Sequence, residues 1–421
     1  MYLKILIASV ITGLISGFFI VFYSLSITFL TYFFFSGNPI ETAKTLPIWY
    51  LYTLPTVAIL IVNYIISKDK NVREYGLNEI TDSIIENRLV FRLKTLFLKI
   101  VASTISLSSG FSVGTEGPSA TIGAMVAYHI HKWFKLPKML IKMMISVGAS
   151  SGIAAIFVSP VTGIAFAVEM IAHQFVKKYI SYLILSAILA FVVSVSFLEP
   201  IFFLHTQGKT FEWRHIFAYL IFIPYITFFI YLYLFFKKRF FSFINLEIVK
   251  SISIKYKNYI FALIGGLSVG TILTLEPRAA FSGHELVLYL INSQHKIALS
   301  VIFLILFLRI ISTTLAIYSN AVGGIFLPLM SIGALAGYGF GEIISNYSYL
   351  NIEPFYFAAI GSSVFMGVIM KLPLTAVILS LETTFDYNVV VATAIIVILV
   401  EYLSDLIFNI KRRDVIKKEK S

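Results

Sequence analysis

The stretch LKIVASTISLSSGFSVGTEGPSATIGA (98–124) decides the fold, because it returns 210 residues later as LRIISTTLAIYSNAVGGIFLPLMSIGA (308–334). Nine of the 27 aligned positions are identical: Leu98/Leu308, Ile100/Ile310, Thr104/Thr314, Ser109/Ser319, Gly114/Gly324, Pro118/Pro328, Ile122/Ile332, Gly123/Gly333 and Ala124/Ala334. Chance at ordinary residue frequencies gives about two. The register then moves by three. At an offset of 213, Gly148/Gly361, Ser150/Ser363, Ile156/Ile369, Pro160/Pro373, Thr162/Thr375 and Glu169/Glu382 match. An apolar composition readily yields accidental matches of Leu, Ile and Ala, but it does not place Gly, Pro and Glu in register. The chain therefore reads as an internal duplication.

Composition sets the solvent of that duplication. Of 421 residues, 58% are hydrophobic and 13% charged, about half the charge of a soluble domain. So few polar side chains cannot cover several soluble domains, and the chain reads as an integral membrane protein. A transmembrane barrel would show short alternating segments, whereas the apolar runs here are long and continuous. The net charge of +12 fits cytoplasmic loops beside anionic headgroups of the lipid bilayer, and no nucleic-acid partner is expected. With no Cys, disulfides, thiolate catalysis and Cys-type metal or redox sites are excluded, and no cofactor is expected. Lys4 is followed by 31 uncharged residues, Ile5 to Phe35. That is too long for a signal-peptide core and enough to span the bilayer.

Apolar runs fall at about 5–35, 47–67, 95–128, 139–174, 179–204, 215–236, 258–275, 284–292, 297–346, 354–384 and 388–410. Several are too long for one span and carry too much Gly, Ser and Pro for one straight helix. They read as helices broken at membrane depth, which is tolerated only where backbone is buried in protein or lines a wet cavity. Lys and Arg concentrate in 68–74, in the middle link and in the tail KRRDVIKKEK (411–420). The positive-inside rule then puts both termini in the cytoplasm, as expected of a multi-pass protein of the plasma (inner) membrane. The reading is a single transmembrane domain over 1–421. It comprises a first half (1–236), a cytoplasmic link (237–257), a second half (258–410) and a basic tail (411–421), with no large soluble C-terminal domain expected. Two homologous halves with interrupted helices point to a transporter or channel whose site lies where the interruptions meet. The sequence leaves open whether the repeats are parallel or inverted.

Few carboxylates lie in the apolar runs, chiefly Glu116, Glu169 and Glu382, and each needs a reason at a cost of at least about 2.5–3.5 kcal/mol. Glu116 stands in GTEGP, just ahead of Pro118, at an expected helix start. Exposed N–H groups and the helix dipole favour an anion there. The carboxylate would occupy that place and leave it on protonation, making a gate; alternatively it caps its own helix. In the second half Phe326 stands at the Glu116 position, and backbone N–H groups near Ile325 and Phe326 are candidates to cradle an anion without a cation. The matched pair Glu169 and Glu382 reads as structural ahead of a proton relay. Lys99 and Arg309 also match across the repeat, as counter-ions or as side chains snorkelling to an interface. His129 and His131 point to different faces of a helix and do not form a metal site. No arrangement for an intramembrane enzyme is present, and helix starts suit anions better than the ions of a cation-coupled carrier.

These motifs resemble the CLC chloride channels and proton-coupled chloride antiporters. GTEGPSATIG (114–123) is similar to the family's gating-glutamate motif, GGIFLP (323–328) to its G-x-F-x-P motif, and the segments around Pro160–Glu169 and Pro373–Glu382 to further family segments. The resemblance covers nearly the whole chain. It implies an all-α polytopic fold of two inverted repeats with broken and re-entrant helices, and a homodimer with one pore per subunit. It implies gating by Glu116 and anion binding around Gly114, Thr115, Gly117, Gly324, Ile325 and Phe326. EYGLNEI (74–80) falls where the family has G-S-G-I-P-E-I, which brings Tyr75 and Gly76 to the anion site with Tyr75 in place of Ser. Thr115 replaces a basic residue, and the pore-lining Tyr near the C-terminus has no clear match. Met170 stands where the antiporters have their internal proton glutamate, so a proton path there would need Glu169 or water. The expected function is gated transport of chloride or a similar small anion. The Met170 position tilts it toward uncoupled conduction, with proton-coupled antiport and a fluoride- or nitrate-preferring pore as alternatives.

Overall fold

The apolar runs at 95–128, 139–174, 297–346 and 354–384 are each cut by a helix terminator, and repeat-equivalent residues make the cuts. In the computed structural model, residues 1–73, 92–170, 176–198, 215–244, 254–292, 297–347 and 352–408 are described. Their helices in chain order are α1 (Tyr2–Phe35), α2 (Pro39–Thr42), α3 (Ile48–Lys68), α4 (Leu93–Ser108), α5 (Glu116–Trp133), α6 (Ile141–Phe157), α7 (Pro160–Met170) and α8 (Val176–Val195). They continue with α9 (Ile216–Ile244), α10 (Ile254–Leu275), α11 (His284–Asn292), α12 (Leu299–Tyr318), α13 (Phe326–Tyr347), α14 (Pro354–Met370), α15 (Pro373–Thr384) and α16 (Tyr387–Phe408).

α4 ends with Gly110 at φ 99, and the Phe111 N–H returns to the Ser106 carbonyl at 3.3 Å. α12 ends with Asn320 at φ 63, and the Ala321 N–H returns to the Ala316 carbonyl at 3.1 Å. Both are Schellman caps, with the left-handed residue at the equivalent position. The second register repeats the device. Val158 (φ 49) closes α6 with Ser159 N–H on Ala154 O at 3.1 Å, and Lys371 (φ 58) closes α14 with Leu372 N–H on Gly367 O at 2.8 Å. Pro160 and Pro373 then open α7 and α15, where a missing N–H costs nothing. Both offsets of the duplication are thus present in the backbone.

The chain forms two compact units. The first comprises residues 1–201, 258–277 and 316–325, so α10, which the sequence assigns to the second half, belongs with the first-half helices. Here α6 is buried on nearly every residue, against α5, α1, α8 and α7. A Cβ on Gly123 would overlap the Gly148 carbonyl, and one on Gly148 would overlap the Gly123 carbonyl. The α5–α6 crossing therefore admits no side chain. Ile5, Ala8, Ile130, Met143, Met144 and Leu183 fill the core nearby.

The second unit comprises residues 202–257, 278–315 and 326–421. It contains the matching crossing of α13 on α14, with Gly333 and Gly361 meeting through each other's carbonyls. Phe222 of α9 joins Phe340 and Phe357 there, at ring separations of 4.8–5.2 Å. Among the described residues, eight helices are long and apolar enough to cross a membrane. Large apolar side chains such as Phe18, Phe22, Phe29, Phe228 and Ile398 stand exposed on them, as lipid contact requires. The protein is a multi-pass, all-α membrane protein.

Candidate functional site

Within the first unit, the breaks at 109–115 and 319–325 meet. Gly114 N–H donates to Gly324 O at 2.6 Å, and Gly324 N–H donates to Gly114 O at 2.7 Å, as an isolated antiparallel bridge. The two glycines are equivalent under the 210-residue offset, so this reciprocal pair places a local two-fold axis between them. The second loop is held further by Ser106, whose hydroxyl accepts from Val322 N–H at 3.0 Å.

Glu116 begins α5 and is fully buried. Its carboxylate folds back over the bridge. A Cβ built on Gly114 would overlap the carboxylate, standing 2.6 Å from Oε1, and one built on Gly324 would stand 2.6 Å from the carboxyl carbon. Glycine at both positions is what leaves room for the acid. The first intrahelical bond of α5 runs from Ser119 N–H to Thr115 O at 3.0 Å. The N–H groups of Glu116 and Gly117 thus precede the ladder, Pro118 has none, and the start of α5 carries the positive end of the dipole. Thr115 is the N-cap without a side-chain cap bond. The seat therefore consists of two glycine backbones at a helix start, a setting suited to an anion. Tyr23 of α1 is fully buried, and its phenol lies near Ser103 and within electrostatic reach of Glu116.

The helix starts fall at Glu116 and at Phe326; Gly114 and Glu116 of the first loop meet Gly323 and Gly324 of the second, while Thr115 and Gly117 flank Glu116 in sequence and Ile325 follows Gly324. Ile325 is partly buried, and Phe326, fully buried, is the first residue of α13. Glu169 and Glu382 occupy the last turns of α7 and α15 and are partly buried. Met170 ends α7, but its side chain lies outside the described residues, as do Tyr75, Gly76 and the basic tail.

Snorkelling is corrected for Lys99 and Arg309, since both are buried throughout. Arg309 turns inward instead. Its Nε donates to Ser331 Oγ at 2.8 Å, and Nη1 donates to the carbonyls of Ala279 (3.2 Å) and Ala280. The guanidinium caps backbone and has no carboxylate partner among the described residues. Asn63 escaped the sequence reading, although a lone amide in an apolar span is a signal that it faces protein. It is buried in α3 and bonds the second loop.

The profile of the family described as "Voltage gated chloride channel" matches residues 56–405. A relative named H(+)/Cl(-) exchange transporter ClcA, from Citrobacter koseri, is 26% identical over 410 residues, covering 92% of this chain and 82% of that protein. One of the same name from Vibrio cholerae serotype O1 is 27% identical over 369 residues, covering 83% and 75%. Among solved structures, a slow cyanobacterial Cl−/H+ antiporter superposes with a TM-score of 0.86 at 20% identity, covering 99% and 98% of the two chains. A CLC-type fluoride/proton antiporter superposes with a TM-score of 0.75 at 19% identity, covering 96% and 95%.

Proposed function

Because this chain belongs to the voltage-gated chloride channel family, we propose that it exchanges chloride for protons across the membrane, with Glu116 as the gate. The observation that carries the reading is the buried Glu116 carboxylate lying on Gly114 and Gly324 at the start of α5. A carboxylate seated there holds the place a permeating anion would take. Protonation removes its charge, the helix start loses its anion, and chloride takes the seat. One side chain then alternates between proton and anion, which is the elementary requirement for exchange. The backbone N–H groups of Gly324, Ile325 and Phe326, with Tyr75 and Gly76, complete the proposed anion path; Thr115 and Gly117 flank the gate.

The Citrobacter koseri and Vibrio cholerae relatives are named as exchangers, and this favours exchange over the uncoupled conduction that Met170 alone would suggest. Protons then bypass Met170, through Glu169 one residue earlier or through water. We also propose a homodimer with one pore per subunit, in the plasma (inner) membrane, with both termini cytoplasmic; the relatives' activity gives no support to an enzymatic reading. The test is proton movement across liposomes carrying the full chain: an outward chloride gradient is expected to draw protons in, and an inward one to drive them out. Exchange requires chloride to drive protons against their own gradient, and chloride flow with no proton movement would return the reading to a channel. Repeating the assay with fluoride decides whether Tyr75 has changed the preferred anion.

A further inference from the structure

We infer that Asn63 and Asn320 form a positioning pair that sets the seat of the Glu116 carboxylate, an inference that rests on the gate reading above. Asn63 is 5% exposed in α3 and Asn320 is 3% exposed at the end of α12. The Asn63 amide nitrogen donates to Ile59 O at 2.9 Å and to Ser319 O at 3.0 Å. Both acceptors are carbonyls, so only the NH2 end of the amide can face them. Asn63 Oδ1 is then left to accept from Asn320 Nδ2, at 2.8 Å. One of these bonds is internal to α3; the other two cross to the loop that carries Gly324.

Asn320 is not needed for the backbone it adopts. Its counterpart Gly110 takes the same left-handed cap position with no side chain, and glycine fills that position at least as well. Nor does Asn320 fit its surroundings fully, because its Oδ1 is buried without a hydrogen-bond partner, a burden glycine would not bring. What Asn320 adds over Gly110 is the bond to Asn63.

The destination of that bond is four residues further on. Ser319 O and the Asn320 side chain are held by Asn63, Val322 N–H is held by Ser106, and Gly324 stands two residues beyond Val322 with its paired bonds to Gly114. Ser319 is also backed by α10, where a Cβ on Gly265 would stand 2.7 Å from its Oγ. The carboxylate of Glu116 rests on Gly324 with no room for a methyl group, so a small shift of the loop changes how well the charged acid is seated. Removing the Asn63–Asn320 bond loosens the seat and favours the protonated, departed acid. The pH profile of flux then moves toward higher pH.

The experiment measures chloride efflux against pH for the full chain in liposomes, comparing wild type with Asn63→Leu, Asn320→Gly, the double substitution and Glu116→Gln. Each single substitution is expected to raise the pH of half-maximal flux by about 0.5–1 unit. The double variant is expected to shift no further than Asn63→Leu, which already removes both the bond between the two side chains and the bond to Ser319 O. Should Asn63→Leu fail to assemble, Asn320→Gly still tests the pair, since glycine keeps the cap. Profiles that coincide with wild type, beside a Glu116→Gln protein that has lost its pH dependence, overturn the positioning pair and leave the gate standing. A Glu116→Gln protein that keeps its pH dependence overturns the gate and the pair together.

Discussion

The loops 110–116 and 320–326 are the same backbone device carrying different side chains. Each follows a Schellman cap, each reaches a glycine that pairs with its counterpart, and each runs directly into a helix. In the first loop the helix opens on Glu116, whose carboxylate lies over both glycines; in the second it opens on Phe326. The caps differ as well, Gly110 in one and Asn320 with its amide bond to α3 in the other. The two copies thus share one seat, with the acid that fills it on one side and the amide-pinned loop on the other. Identical glycines report a shared backbone need, whereas the divergent residues at equivalent positions report divided labour.

The largest break in this comparison is Glu116→Gln. It leaves the size of the side chain and removes its charge, and chloride efflux is expected to lose its dependence on pH altogether. Next comes Gly324→Ala. Its new methyl group meets chiefly the end of the flexible Glu116 side chain, so the acid is expected to be displaced with the loop intact. Efflux at neutral pH should rise about tenfold, for roughly 1.4 kcal/mol lost from the closed state. Gly323→Ala makes the contrast, since its methyl would meet Val113 Cβ at 2.6 Å and Gly114 O at 2.9 Å and should cost folded protein instead.

Smaller effects test whether the two units share one packing rule. Gly123→Ala and Gly333→Ala each drive a methyl into the backbone of the crossing helix. Each should lower stability by about 1–3 kcal/mol, read as matched falls in thermal unfolding temperature of the detergent-solubilised protein. Unequal falls would show that the crossings are not equivalent. Smallest is Val158→Gly, where relief of a β-branched residue at positive φ, about 1–2 kcal/mol, is largely offset by the loss of a buried side chain, so any net gain should stay below about 1 kcal/mol. Lys371→Gly at the equivalent cap should gain less. Lys371 Nζ bonds Asp405 at 2.6 Å and lies 3.5 Å from Glu401, and that pairing, worth up to about 1 kcal/mol, is lost.

Much of the fold was legible because Gly, Pro and Glu have positional meanings that survive without a partner in view. Proline at the start of α7 and α15 and the acid at the start of α5 follow from local backbone geometry, whereas glycine at the two crossings answers to the close approach of a second helix. The pairing of Gly114 with Gly324 follows from the duplication once the loops are known to meet. Asn63 was not legible in the same way, because a lone amide announces only that it faces something polar, and the acceptors on Ser319 and Ile59 are set by three-dimensional approach. Arg309 was misread because a long basic side chain on an apolar helix can reach outward or inward with the same spacing; two carbonyls of the 279–280 turn and Ser331 decide it. The assignment of α10 to the first compact unit was hidden for a related reason, since chain order does not reveal which helices a returning segment joins.

The most direct test of chloride–proton exchange at Glu116 is the reversal potential of the full chain in bilayers or liposomes under opposing chloride and proton gradients, measured for wild type and Glu116→Gln. The expected potential is set jointly by both ions in wild type and by chloride alone in Glu116→Gln. A potential set by chloride alone in wild type, or one that Glu116→Gln leaves unchanged, would contradict it.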